Sequence, residues 1–409
     1  MKLVSIALSL IISPVLAQDG QWVPLPPLPE SISNNAVTSF DHGDGTWTLY
    51  SFMGIRPPAT GLANATLHSY KLDWPGGQWE PIADAPQDSR GRAKVAASAV
   101  TVAGSVYLIG GYSPSRTEIT EKRLFRYEPD TDTYTQLADV PFEVDDTVPA
   151  VYSDRYIYLI SGWHGPINDN TTRVQVYDTH HDTWQQATPI PGPSDGLFGH
   201  TGGISGNTLL YIDGSVSDGG FTISNSVYRG TIDPDDPSLI AWEELPAHPG
   251  SPTYRAAGSL GATPNGSILI VGGTDNPYNI SGNGYDGQPA MPLNQVLAYH
   301  APRDRWVTLY ISPPRTPTMD HRNLVPLADG WALVGGMTGP NEATGACWQL
   351  ILEPCRADLN SDGVTDASDL DLWINAYNAQ SPQADQNNDG QVTPADFSAF
   401  VAGARRGCI

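Results

Sequence analysis

Positive charge is scarce in this 409-residue chain. Lys and Arg together number 21 against 44 Asp and Glu, a formal charge of −23. Such a surface repels nucleic acid and anionic lipid, so no nucleic-acid partner is expected. Cysteine is also rare: there are 3, Cys347, Cys355 and Cys408, all near the end of the chain. Most of the protein must therefore hold together without disulfides. Beyond the first 17 residues no apolar run is long enough to cross a bilayer, so no transmembrane segment is expected. Neither a Gly-x-Ser-x-Gly elbow nor a His-Glu-x-x-His zinc motif occurs.

Residues 1–17 read as a signal peptide. Lys2 supplies the charge, Leu3 to Ile12 the apolar core, and Val15-Leu16-Ala17 a small-residue cleavage site. The mature protein is expected to be secreted or associated with the cell surface. That compartment permits disulfides. Cys355 with Cys408 would clasp the ends of the last segment and leave Cys347 odd; Cys347 with Cys355 is the alternative.

Gly (41) and Pro (36) are plentiful, and they fall at regularly spaced turns, as β-architecture requires. The stretch Lys94 to Pro141 shows the unit. Val100 and Val102 lead into the turn Ala103-Gly104. Val106 to Ile109 follow and end on Gly110-Gly111. Leu124 to Tyr127 form a third run, and Tyr134 opens a fourth. A lone four-stranded sheet cannot cover both faces, so copies are needed. They recur about every 50 to 60 residues. The strand-ending glycine returns as Gly54, Gly111, Gly162, Gly214, Gly273 and Gly336. The third strand carries Tyr70, Tyr127, Tyr177, Tyr228, Tyr299 and Trp348; the fourth opens on Trp79, Tyr134, Trp184, Trp242 and Trp306. No such aromatic follows Trp348. The missing one is Trp22, in a segment like that around Trp79, so the amino-terminal strand should complete the last blade and seal the ring.

The spaced diglycine, tyrosine and tryptophan resemble the Kelch repeat over residues 21–352. The resemblance implies an all-β, six-bladed β-propeller at 18–352, with seven blades as the alternative count. Met53-Gly54, Ser161-Gly162 and Asp213-Gly214 depart from the diglycine. The first residue of each is expected to keep negative φ.

Residues 353–409 form a different unit. Two twelve-residue loops offer side-chain oxygens and a carbonyl at calcium-loop spacing. The first has Asp358, Asn360, Asp362, Val364, Asp366 and Asp369; the second has Asp385, Asn387, Asp389, Gln391, Thr393 and Asp396. Each leads into a short helix, so a small α-helical module with two calcium ions is expected. The paired loops ending in Asp resemble dockerin modules, in the variant that finishes on Gly-Cys. That resemblance implies a bacterial source, docking or anchoring by the tail, a cohesin-like or cell-surface receptor, and a link to polysaccharide metabolism.

In a propeller, the segments leading into the innermost strands converge on one mouth. Here they offer Arg92, Asp146, His200, Arg255 and Arg322, with Trp163 on the same face. Arginine forks suit a carboxylate and an aromatic face suits a sugar ring. These residues are the candidate ligand site, for a glycan or a protein. The blade pattern also resembles the Kelch sialic-acid epimerases (mutarotases), which implies an enzyme acting on an acidic sugar as the alternative. A non-catalytic binding propeller on a calcium-dependent tail is the first expectation.

Overall fold

The computed structural model describes residues 20–406, apart from 116–117, 194, 218–219, 313, 354 and 361–364. The expected leader, Cys408, Asp362 and Val364 lie outside the described residues. Six four-stranded antiparallel sheets stand around an axis, each with its strands in meander order except the last. The innermost strands are Ala36–Asp41, Val95–Val102, Val148–Tyr152, Thr201–Ser205, Ala257–Gly258 and Val325–Leu327. They define blades one to six. In blade six the outer strand is Gly20–Leu25, antiparallel to Cys347–Leu352, with Trp22 opposite Leu350 and Pro24 opposite Trp348. The ring therefore closes through the amino-terminal strand, as its tryptophan predicts, and six is the blade count.

In blades one to four the repeated aromatic joins its blade to the connection behind it, whereas Trp306 Nε1 in blade five is buried with no hydrogen-bond partner among the described residues. Trp79 Nε1 donates to Pro26 O (2.8 Å), Tyr134 OH to Ala83 O (2.9 Å), Trp184 Nε1 to Ala138 O (2.9 Å) and Trp242 Nε1 to Thr188 O (3.0 Å). The acidic turn between third and fourth strands adds a second point. Asp132 Oδ1 accepts from Tyr127 OH and from Ala83 N; Asp182 Oδ1 accepts from Tyr177 OH and from Ala138 N. One connection residue is thus held both by its carbonyl and by its N–H. Each such hydrogen bond contributes about 1 kcal/mol net, on top of the burial of a large ring.

The chain leaves every second strand through two consecutive left-handed residues. The second is always glycine: a Cβ on Gly214 would lie 2.6 Å from His200 Cβ, and one on Gly336 only 2.4 Å from His321 Cε1. The first also has positive φ where it is not glycine, contrary to the expectation of negative φ: Met53 45°, Ser161 55°, Asp213 58°. The kink needs both residues in that region, at about 1–2 kcal/mol for a residue with a Cβ, and local contacts offset the cost. Asp213 Oδ2 accepts from Thr253 N at 2.8 Å and pairs with His248 Nε2 at 2.8 Å. Ser161 Oγ accepts from Leu197 N at 2.9 Å. Met53 is fully buried against Ala36 and Phe52.

The tail carries two helices, α1 (Ala367–Asn378) and α2 (Pro394–Arg406). They pack on a small core of Ala357, Trp373, Ala384 and Phe400. Its two loops have one construction. Asp369 Oδ1 accepts from Leu359 N and Asn360 N, and its Oδ2 from Asp366 N. Asp396 Oδ1 accepts from Gln386 N and Asn387 N, and its Oδ2 from Thr393 N. Cys355 is disulfide-bonded and Cys347 is a free, buried thiol, which removes the Cys347–Cys355 pairing. Among the described residues no helix is long and apolar enough to cross a membrane.

Candidate functional site

The site begins with six residues, one per blade, where the chain turns toward its innermost strand. Asn34, Ala96, Asp146, Gly199, Arg255 and Asp320 all have left-handed φ, between 50° and 65°. Peptide hydrogen bonds link neighbours around the axis: Ala96 N to Asn34 O, Gly199 N to Asp146 O, Arg255 N to Gly199 O and Asn34 N to Asp320 O. The belt aims four polar side chains inward.

Those side chains neutralise one another. Arg255 is fully buried; its Nη2 and Nε reach the two oxygens of Asp146 at 2.7 and 3.2 Å, and its Nη1 reaches Asp320 Oδ1 at 3.1 Å. Arg322 adds a bond to Asp146 Oδ1 and donates through Nε to Asn34 Oδ1 at 3.0 Å. Burial alone would raise Asp146, but the charges of Arg255 and Arg322 outweigh it and hold its pKa below the usual carboxylate range. The arginine forks expected to grip a ligand carboxylate are closed on the protein's own groups.

Beside this network, between blades two, three and four, lies a cavity of about 570 Å³. The insertion 274–290 roofs it. Tyr112 OH donates to Asn279 Oδ1 at 3.0 Å, Arg255 Nη1 to Asn279 O, and Tyr254 OH to Tyr278 O at 2.8 Å. The wall is aromatic. Phe221 stacks on Tyr285 with ring centres 4.3 Å apart, and Trp163 lies 5.4 Å from Phe198 and 5.8 Å from Phe221. The polar edge carries Glu118, Asp145, Asp146 and Asn279.

Two of these acids lack a guanidinium. Asp145 is buried and accepts from Thr120 Oγ1 at 3.0 Å; burial first, then the charges of Asp146 and Glu118, push it well above the carboxylate range. Glu118 sits at the open rim, where partial desolvation and then the Asp146 charge raise it to about 7, with Arg255 opposing. The shift favours the protonated form of Asp145, and Glu118 exchanges its proton with solvent around neutral pH, so each can donate to a ligand oxygen when protonated.

Of the sequence-level candidates, the structure brings Asp146, Arg255, Arg322 and Trp163 to this region. Arg92 stands one step back, with Nε on Asp88 (2.8 Å) and Nη1 on Ser115 Oγ (2.7 Å), and only Ser115 lines the cavity. His200 is buried, its Nε2 2.8 Å from Ile160 O, and burial lowers it to about 3, so it is a neutral structural histidine. Glu118, Phe198, Phe221 and Tyr285 were not singled out from sequence. Their one signal was the unusual length of the insertion that carries Tyr285.

In the tail, the second loop presents oxygen donors from Asp385, Asn387 and Asp389, a type that suits a hard divalent cation, whereas the expected ligands Asp369 and Asp396 are buried with both oxygens taken by backbone N–H groups. Asp385 Oδ2 accepts from Gly390 N at 2.9 Å, the turn that the glycine permits. Among the described residues no three His, Cys, Asp or Glu side chains gather closely enough to hold a metal ion.

Residues 93–141 match the Kelch motif. The chain is 21% identical over 309 residues to an N-acetylneuraminate epimerase of Salmonella arizonae, covering 66% of this chain and 75% of that one. It is 22% identical over 260 residues to the corresponding protein of Yersinia pestis (strain Pestoides F), covering 53% and 64%. The solved structure of YjhT superposes with a TM-score of 0.61 at 16% identity, over 80% of this chain and 99% of that one. The protein is thus a six-bladed β-propeller that matches the Kelch motif at residues 93–141 and is distantly similar to proteins named N-acetylneuraminate epimerase.

Proposed function

We propose that the roofed cavity binds an uncharged sugar ring, and that the tail holds calcium and anchors or docks an exported protein. One observation carries the first part: an aromatic wall faces an acidic edge in which Glu118 and Asp145 are shifted toward the protonated form, while Arg255 and Arg322 are already paired with Asp146. Aromatic faces take the apolar face of a sugar, and Glu118, Asp145 and Asn279 suit its hydroxyls. A volume of about 570 Å³ holds one or two rings. Among the described residues, a carboxylated sugar would meet Glu118, Asp145 and Asp146 while Arg255 and Arg322 are already paired. Calorimetric titration with neutral and acidic mono- and disaccharides tests this. Saturable binding of a neutral sugar that Trp163→Ala removes supports it; preference for the acidic sugar refutes it.

The second reading, epimerase-like chemistry, is favoured by Glu118, a carboxyl near pH 7 on the same cavity, and by the distant relatives. A group titrating there can exchange a proton with a ring carbon's substituent. Interconversion of the anomers of an added sugar faster than in buffer alone, followed by NMR, would establish turnover.

For the tail, the oxygen donors of both loops would hold calcium, Asp358, Asn360 and Asp366 in the first and Asp385, Asn387 and Asp389 in the second. Calcium would supply charge neutralisation for an acidic module, with no part in catalysis. Export is proposed from the leader, and docking from the paired loops.

A further inference from the structure

The opposite end of the axis holds a second cavity, of about 600 Å³. It is lined by the far ends of the innermost strands, whereas the sugar cavity is built from residues that precede them. Every blade contributes an apolar residue to its lining; Phe40, Val151, Leu260 and Pro326 are part-exposed there, while Val100 and Ile204 are buried behind them in the cores between blades. Three of the lining hydroxyls are spent internally. Thr38 Oγ1 and Thr101 Oγ1 lie 3.0 Å apart, and Ser259 Oγ donates to Gly261 O at 2.7 Å. A ligand entering here finds mainly apolar contact, with Ser39 as the remaining hydroxyl of the lining. The charged groups of the lining are two exposed carboxylates at its mouth, Asp41 and Asp154. Their main-chain contacts, Gly43 N to Asp41 and Ala103 N to Asp154, leave the negative charge facing water.

We infer that this bowl is a binding site for a compact apolar or aromatic molecule bearing an ammonium group. The body would bury against Phe40, Val151, Leu260 and Pro326 while the cation stays at the mouth beside Asp41 and Asp154. Apolar burial supplies the affinity and the paired carboxylates the sign selection. This inference does not depend on the sugar reading, which concerns the other face.

The full chain would be titrated with 1-naphthylmethylamine and, separately, with 1-naphthylacetate, by calorimetry and by the fluorescence of Trp47 and the naphthyl group. The expected result is one saturable site, with the amine at least fivefold tighter than the acetate. Leu260→Trp should fill the bowl and weaken the amine at least tenfold. The double variant Asp41→Asn with Asp154→Asn, which alters only exposed side chains, should cut the preference below twofold. Trp163→Ala should change nothing, because it lines the other cavity. The inference is overturned by absent saturation, by an acetate that binds as tightly as the amine, or by amine binding that follows Trp163. Should Leu260→Trp fail to fold, the double variant alone decides: an unchanged preference overturns the proposal.

Discussion

Asp146→Asn probes the centre of the propeller. The carboxylate joins blade three to Arg255 in blade five and to Arg322 ahead of blade six, across 109 and 176 residues of chain. Removing one member of a buried ion network costs about 3–5 kcal/mol, because the remaining charges lose their partner. Arg255 keeps Asp320 at 3.1 Å and Arg322 keeps Asn34, so the lower value, about 3 kcal/mol, is expected. In a domain this large each kcal/mol moves Tm by about 2 °C, giving a drop of about 6 °C at pH 7. The pH dependence has a definite sign. The folded-state pKa of Asp146 is depressed, so its contribution is present above the unfolded value of about 3.9 and is lost as pH falls through the lower folded value. Thermal melts by circular dichroism should show a gap between wild type and variant that is constant from pH 7 to 5. It should close only below the ordinary carboxylate range. A variant melting within about 1 °C of wild type at pH 7, or a gap still open at the lowest pH, would refute the reasoning.

Trp22→Ala should lower stability by about 3–5 kcal/mol, since Trp22 is buried in the closing strand with Arg315 over its ring at 4.7 Å; denaturant melts measure it, and a loss under 1 kcal/mol would mean the closure is weak. Sugar affinity should fall as pH rises through about 7, where Glu118 gives up its proton, and Glu118→Gln should flatten that profile; an unchanged profile in the variant would remove Glu118 from the site. Chelating calcium should make residues 353–406 susceptible to protease while the propeller's melting is unmoved. Equal cleavage with and without chelator would count against metal in the loops.

The wheel was legible in the sequence because its joints repeat. Each blade needs a glycine where a neighbour approaches within van der Waals distance, as at Gly214, and an aromatic that reaches the preceding connection, as at Trp184. The cavity was not legible for the opposite reason. Glu118, Phe221 and Tyr285 stand on segments that differ in every blade, so no period marks them. Pairing across the axis was equally hidden: Arg255 looked like a hand held out to a ligand, and only folding shows it clasping Asp146. The left-handed Met53, Ser161 and Asp213 were misjudged because residue type was taken as a guide to φ, whereas the kink imposes φ and the surroundings accommodate the side chain.

Gly20 and Leu352 face each other as the first pair of the closing sheet. Whatever precedes the wheel and whatever follows it must therefore depart from a single spot on the perimeter. Attachment at that spot would hold the disc by its edge, as a coin is held between finger and thumb, and leave both flat sides open to solution for two unlike visitors at once.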